Sequence, residues 1–218
     1  MGTLFAVDSQ SSMQFPQSLT EVYKPKTIGD FCGIPKVKKI CASFAANPRE
    51  ACLLMIGEPG CGKSSMARAV AAQINGEVHT ISSAKANLET LENLARICSY
   101  VPFGGGWHVV VMEEADCMSD AASKWMLSRL DGTASLPRTI WILTANGTDR
   151  LEERLTSRAL TIRFETYGAG AETVALLEKI WNERAPEGAT RPDFKRLSSK
   201  NIRQAIQNLE LEIMAAGA

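Results

Sequence analysis

The sequence carries no net charge: Lys plus Arg and Asp plus Glu stand at 24 each over 218 residues. That balance excludes a bulk basic footprint for nucleic acid, so any contact with a polyanion has to come from a local patch. No run approaches the ~18 apolar residues that a membrane-spanning helix needs. The opening residues, M-G-T-L-F-A-V-D, have neither the basic region nor the long apolar segment of a signal peptide. Ala6 stands where a myristoylation signal has Ser or Thr. The expectation is a soluble chain of the cytoplasm, or of the nucleus in a nucleated cell. No internal repeat is visible. The six cysteines (Cys32, Cys41, Cys52, Cys61, Cys98, Cys117) form no C-x-x-C pair and no metal-type spacing with either histidine. They read as reduced, mostly buried thiols.

What is present is concentrated in residues 51–64, A-C-L-L-M-I-G-E-P-G-C-G-K-S. Six apolar residues have the length of a buried parallel strand. The pattern G-x-x-x-x-G-K-S then runs through Gly57, Glu58, Pro59, Gly60, Cys61, Gly62, Lys63 and Ser64, with Ser65 next. Met66, Val70 and Ile74 recur at helical spacing beside Ala67 and Ala71, and Asn75-Gly76 is a C-terminal stop. Strand, glycine loop and helix are the context of a phosphate-binding loop. Glycines let backbone N–H groups approach a triphosphate with no Cβ in the way. The following helix aims free N–H groups and partial positive charge at the same phosphates. Lys63 adds a mobile cation for the β- and γ-phosphates, and the Ser64 hydroxyl is a magnesium ligand. ATP and Mg2+ are the cofactors this loop implies. Cys61 lies beside a helix N-terminus, where a thiolate is favoured and oxidation would block nucleotide; the plainer reading is a tolerated small side chain.

A second chemical site is W-H-V-V-V-M-E-E-A-D, residues 107–116. An apolar strand ends in three acids, Glu113, Glu114 and Asp116, whose mutual repulsion makes sense if a cation sits there. The carboxyl ends of parallel strands are also where α/β ligands bind. In a P-loop ATPase this strand supplies one acid for magnesium, here Glu113, and one that polarises the attacking water, here Glu114. The alternative is an ordinary charged turn. A third β-rich run, residues 138–144, ends close to Asn146, which would orient the water or simply make an Asn-Gly turn.

Around these sites the chain alternates. Residues 1–19 are expected to form a loose polar leader. A helix is expected over 35–46, with Val37, Ile40, Cys41 and Phe44 on one face. A strand follows over 77–81, and then a helix between Asn87 and Ser99 with Leu88, Leu91, Ala95 and Cys98 inward. Tyr100 and Phe103 precede three glycines and form either a plug on the core or a partner-binding tip, the plug being preferred. Ser119 can cap a helix, 151–156 is one helical turn, and 160–164 is a strand. From Gly168 the pattern is all helical, with helices over 171–184 and from a cap at Asn201. Arg203 falls in the first turn of that last helix, the unfavourable end for a cation unless an anion is near. The expectation is an α/β core over 20–166 and a small helical lid over 167–218.

In combination these motifs resemble the AAA+ ATPases, and within them the small subunits of sliding-clamp loaders of the replication factor C type, from about residue 22 to residue 211. Y-K-P-K-T at 23–27 is similar to the family's adenine-side box, which implies that Tyr23 and Pro25 contact the base. G-E-P-G-C-G-K-S corresponds to Walker A. E-E-A-D resembles D-E-A-D, and Asn146 falls at sensor 1. S-R-A at 157–159 resembles S-R-C, which implies that Arg158 is a finger acting on a neighbouring subunit's ATP. N-I-R-Q-A-I at 201–206 resembles the sensor 2 motif, with Arg203 on the phosphates in cis. The resemblance implies a three-layer sandwich with a parallel sheet and a helical lid, and a ring of like or paralogous subunits. It also implies a clamp contact through Tyr100 and Phe103, and primer–template DNA beside Lys85, Lys124 and Arg129.

Three departures stand out. Glu113 replaces the usual Asp, which bears on the rate of hydrolysis. Little separates Gly188 from Asn201 in the lid. The sequence ends at Ala218, where clamp-loader subunits continue into a helical collar. Three readings follow: an ATP-hydrolysing AAA+ subunit acting on DNA or a clamp, an ATP-binding switch or scaffold with weak or no hydrolysis, and a P-loop kinase or other small-molecule enzyme. No substrate motif supports the last.

Overall fold

The computed structural model describes residues 17–102, 105–131, 135–165, 170–199 and 201–217. Six apolar residues in a row can be buried only if both faces of their strand are covered, and β1 (Ala51–Ile56) has five of its six positions buried. It lies inside a five-stranded sheet with β2 (Glu77–Ser82), β3 (His108–Glu113), β4 (Thr139–Ala145) and β5 (Leu160–Arg163), in the order β2-β3-β4-β1-β5. Every pairing is parallel.

Alternate residues leave the strands on opposite faces. Leu53, Met55, Val109, Val111, Ile140 and Ile142 pack under α2 (Pro35–Ala46) and α3 (Lys63–Gln73). Cys52, Leu54, Val110, Met112, Trp141 and Leu143 pack under α4 (Leu88–Cys98), α5 (Asp120–Leu130) and α6 (Glu153–Arg158). The result is the three-layer α/β sandwich expected. Because the strands are parallel, the loops that follow Ile56, Glu113 and Ala145 emerge along one edge of the sheet.

Three helix starts are capped by side chains, two of them, Ser119 and Asn201, where the sequence places a cap. Asn87 accepts from the Thr90 N–H at 2.8 Å, Ser119 from Ala122 at 3.3 Å and Asn201 from Gln204 at 3.1 Å. Asn75 turns to a φ of 51°, and the Gly76 N–H closes α3 onto the Ala71 carbonyl at 2.8 Å.

Two apolar residues expected inside are outside. Ile40 is 40 % exposed, because the buried stripe of α2 runs through Val37, Cys41, Phe44 and Ala45 and leaves Ile40 at its margin. Leu88 is 46 % exposed. It is the first residue of α4, and the helix meets the sheet through Leu91, Leu94, Ala95 and Cys98 instead.

α7 (Gly170–Arg184), α8 (Phe194–Leu197) and α9 (Ile202–Ala216) share a separate core of Leu177, Ile180, Trp181, Phe194, Ala205, Ile206 and Leu209. The short helix α1 (Leu19–Val22) joins them. Its Leu19 packs on that core, and the Leu19 N–H donates to the Glu210 carboxylate at 2.9 Å. Leu19 is therefore part of a helical turn and not of a loose leader; most of that leader, residues 1–16, lies outside the described residues. So does the expected boundary at 166/167.

Candidate functional site

Between β1 and α3 the chain turns through two glycines in the left-handed region, Gly60 at a φ of 79° and Gly62 at 98°. A Cβ on Gly60 would stand 2.1 Å from Asn201 Oδ1, and one on Gly62 3.0 Å from the Phe31 ring. The loop is thus pressed against both the N-terminal segment and the start of α9. Gly62 caps α3, so the helix opens at Lys63, Ser64 and Ser65 with N–H groups that no preceding turn can satisfy. That is an anion cradle.

Lys63 folds back into this cradle. Its ammonium donates to the carbonyls of Gly57 at 2.7 Å and Glu58 at 3.0 Å, and to Asn146 Oδ1 at 3.2 Å. Burial lowers its pKa from the ordinary lysine value; Cys61 and Asp116 work against that shift and Arg203 adds to it. A dehydrated cation held by neutral oxygens is poised to exchange them for phosphate. Cys61 does not have the thiolate character that its position suggested. It is 6 % exposed, and burial pushes its pKa up by more than Lys63 and the backbone donors pull it down.

At the end of β3, Glu113 accepts a hydrogen bond and salt bridge from Arg68 at 3.0 Å. Glu114 adopts left-handed backbone angles, φ 58° and ψ 51°, and its N–H donates to Thr144 Oγ1 at 3.3 Å. Such angles are uncommon outside glycine, and they redirect the chain at the strand tip.

Lys63, Ser64, Ser65, Glu113, Glu114 and Asn146 line one cavity of about 440 Å³, together with Lys24, Pro59, Gly60, Arg68, Thr144 and Arg203. A second cavity of about 180 Å³ adjoins it and shares Lys24, Gly60, Ser65 and Arg203. Tyr23, Pro25, Phe31, Leu176, Ile202 and Ile206 make its walls. The Tyr23 hydroxyl donates to Glu183 at 2.7 Å and accepts from Arg184 Nε at 3.2 Å, which anchors the ring to α7. Burial, and next the bond to Glu183, raise the Tyr23 pKa. The polar cavity suits phosphates and the narrower one a flat base.

The remaining expected residues among those described lie away from both cavities. Arg158 ends α6, exposed, with its guanidinium on the Asp131 carboxylate and on the Arg154 carbonyl at 2.9 Å. Tyr100 is 72 % exposed and Val101 63 %, so Tyr100 is not a plug: His108 and Pro102 are the buried residues of that segment. Phe103 lies outside the described residues. Lys85, exposed, closes a turn after β2, Lys124 is exposed on α5, and Arg129, half-buried, lies over the Trp125 ring at 4.9 Å.

Three polar residues lining the larger cavity were missed from sequence. Lys24 touches both cavities. Arg68 lies one helical turn from Ser64, a spacing that could have flagged it. Thr144 stands two residues before Asn146 near the end of its strand, and only the strand pairing shows that it meets Glu114.

Comparison with known proteins agrees with this geometry. The ATPase family associated with various cellular activities (AAA) matches residues 53–166, just over half of the chain. Replication factor C subunit 3 of Blastobotrys adeninivorans is 26% identical over 206 residues, covering 87% of this chain and 58% of that protein. Replication factor C small subunit 1 of Pyrobaculum islandicum is 25% identical over 201 residues, covering 88% of this chain and 60% of that protein. The chain thus spans about six tenths of the length of these relatives. Among solved structures, the Thermotoga maritima RuvB Holliday junction branch migration motor shares the fold, with a TM-score of 0.68 at 18% identity over 86% of this chain and 64% of that one. A phosphate loop, an acidic strand end and an asparagine converge at one edge of a parallel sheet of this order, and the chain belongs to the AAA family of ATPases.

Proposed function

We propose that the chain is an ATP-hydrolysing AAA+ subunit that works at interfaces between subunits of a ring, coupled to DNA replication or repair in the manner of a sliding-clamp loader. The observation that carries this reading is the meeting of Lys63 with Asn146 in the cavity that also holds Glu113 and Glu114. The glycine cradle leaves no room for a Cβ, and a hydroxyl with a carboxylate is a hard oxygen donor set. Both features fit ATP and Mg2+. Ser64 and Glu113 would hold the ion, which when bound supplies neutralisation of phosphate charge.

The chain's own groups divide the remaining work. The cradle amides, Lys63 and Arg203 hold the phosphates. Tyr23 and Pro25 flank the base, and α7–α9 close over it as a lid. Glu114 accepts the proton of the attacking water, and Asn146 orients that water. Arg158, on the surface, reaches the ATP of a neighbouring copy or paralogue. The exposed Tyr100 tip is offered to a clamp. Lys85, Lys124 and Arg129 are offered to primer–template DNA.

The Arg68–Glu113 pair favours a second reading. A longer acid already engaged by a guanidinium is less available to an ion, as in an ATP-binding switch with slow hydrolysis. Turnover measured with and without primer–template DNA separates the two. Stimulated phosphate release supports the first, and ATP binding without release supports the second. Solution mass in ATP and magnesium against ADP tests the ring.

A further inference from the structure

The opposite edge of the sheet carries a second constellation. β2 and β3 begin there, and their register sets Glu77 beside His108. His79 follows Glu77 by two residues, so both leave β2 on one face. α4 packs on that face and ends in Cys98.

The donor atoms of His79, Cys98 and His108 all lie within 4.8 Å of one another. His79 Nε2 and His108 Nδ1 are 3.0 Å apart, and the two Glu77 carboxylate oxygens stand 3.8 Å from one nitrogen each. Two nitrogens on a tetrahedral zinc ion are separated by about 3.3 Å, given bonds of about 2.0–2.1 Å. Closing the His79, Cys98 and His108 donors on an ion therefore takes shifts of about an ångström, with the exposed Glu77 side chain turning in as the fourth.

The proton on His108 suits the same task. His108 Nε2 lies 2.9 Å from the Tyr100 carbonyl, which can only accept. His108 thus carries its proton on Nε2 and turns the Nδ1 lone pair to the cluster. An outer N–H held by a backbone carbonyl is the usual support of a ligating histidine. The His79 Nε2–H then donates to His108 Nδ1; an ion taking that position requires this proton to move to His79 Nδ1, which frees Nε2 as a ligand.

Charge also balances. Two neutral imidazoles, a thiolate and a carboxylate neutralise a divalent cation. Binding an ion would release the Cys98 thiol proton. Cys98 and His108 are buried, while His79 is partly open and Glu77 exposed, which leaves a route of entry.

We propose that His79, Cys98 and His108, with Glu77 as the fourth donor, form a structural site for a zinc-type transition-metal ion. Mixed nitrogen and sulfur donors select zinc-like ions over magnesium or calcium. The ion would join the starts of β2 and β3 to the end of α4. It would also steady the Tyr100 carbonyl, and with it the exposed Tyr100–Val101 tip.

The test is Co2+ titration of the full chain, stripped with a chelator and free of nucleotide. One equivalent is expected to give a thiolate-to-cobalt charge-transfer band with the visible bands of a four-coordinate ion. Zn2+ should displace it and raise the thermal unfolding midpoint. Cys98→Ser should lose the charge-transfer band, and His79→Asn, at a partly open position of the edge strand, should weaken binding about tenfold or more. No saturable Co2+ binding by the unmodified chain would overturn the site. So would an unchanged band and affinity in both variants, since the thiolate would then belong to another cysteine such as the exposed Cys117.

Discussion

The Lys63 ammonium and the Asn146 side-chain oxygen, 83 residues apart in sequence, are joined by a hydrogen bond of 3.2 Å. Their loops leave adjacent parallel strands whose last residues, Ile56 and Ala145, are paired in register. The bond links the group that grips phosphate to the group proposed to place water. The two roles should separate on mutation. Lys63→Ala is expected to weaken ATP binding by about tenfold to a hundredfold, the worth of a charged hydrogen bond or two. Asn146→Ala should leave affinity within a few fold and lower turnover by about a hundredfold or more. Fluorescent-nucleotide titration and steady-state phosphate release measure the pair. Equal loss of affinity in both variants would reduce Asn146 to a prop for the loop.

Arg158 sits at the surface on Asp131 and is not drawn into its own nucleotide cavity. As a finger in trans, Arg158→Ala should keep its ATP affinity and lose about a thousandfold or more in turnover. Mixing supplies the sharper check. Arg158→Ala chains bind ATP, and Lys63→Ala chains still carry the arginine, so at an ATP concentration that fills only the former the mixture should recover hydrolysis that neither has alone. Absence of any recovery, with the two chains shown to associate, would speak against action across an interface.

Asp30 accepts from the Thr27 N–H at 2.8 Å and the Lys26 N–H at 3.1 Å, closing a capping box beside the narrower cavity. Donation from Thr27, by backbone and then hydroxyl, lowers its pKa below the ordinary aspartate value, with Lys26 adding a smaller share. The folded state therefore favours the ionised carboxylate. Its contribution is complete above the unfolded pKa of about 4 and disappears as pH falls through the lowered folded value. Asp30→Asn should cost no more than about 1 kcal/mol at neutral pH, because water screens this exposed group. The gap between variant and parent should close in acid. Urea unfolding at pH 7 and near pH 3 tests the sign, and a pH-independent difference would contradict it.

What could be read from the sequence was local. Ser119 and Asn201 announce helix starts because a cap and the N–H groups it satisfies lie within three residues of each other. The phosphate loop is legible because one short segment supplies most of its parts. Ile40 and Leu88 were misplaced because periodicity gives a helix a face but not the width or reach of its contact. The pairing of Arg68 with Glu113 and the approach of His79 to His108 depend on which strands are neighbours, and no spacing along the chain encodes that. The helical turn at Leu19 was hidden for a similar reason. Its support is α9, at the far end of the chain.

The contact between Gly60 and Asn201 ties the phosphate loop to the first residue before α9 and gives the last expectation. A methyl at Gly60 would meet both a left-handed backbone, at a φ of 79°, and the Asn201 amide at 2.1 Å. Gly60→Ala should therefore destabilise the fold by about 1–3 kcal/mol and push α9, with Arg203 in its first turn, away from the loop. Asn201→Ala removes the cap of α9, at about 1 kcal/mol, and also removes the obstructing amide. In the double variant the steric part vanishes while the backbone strain remains, so the combined loss should be smaller than the sum of the two. Denaturant unfolding of the four proteins gives the coupling, and ATP titration of the same set reports whether Arg203 has shifted. Strict additivity would mean that the loop and the helix start do not press on each other in solution.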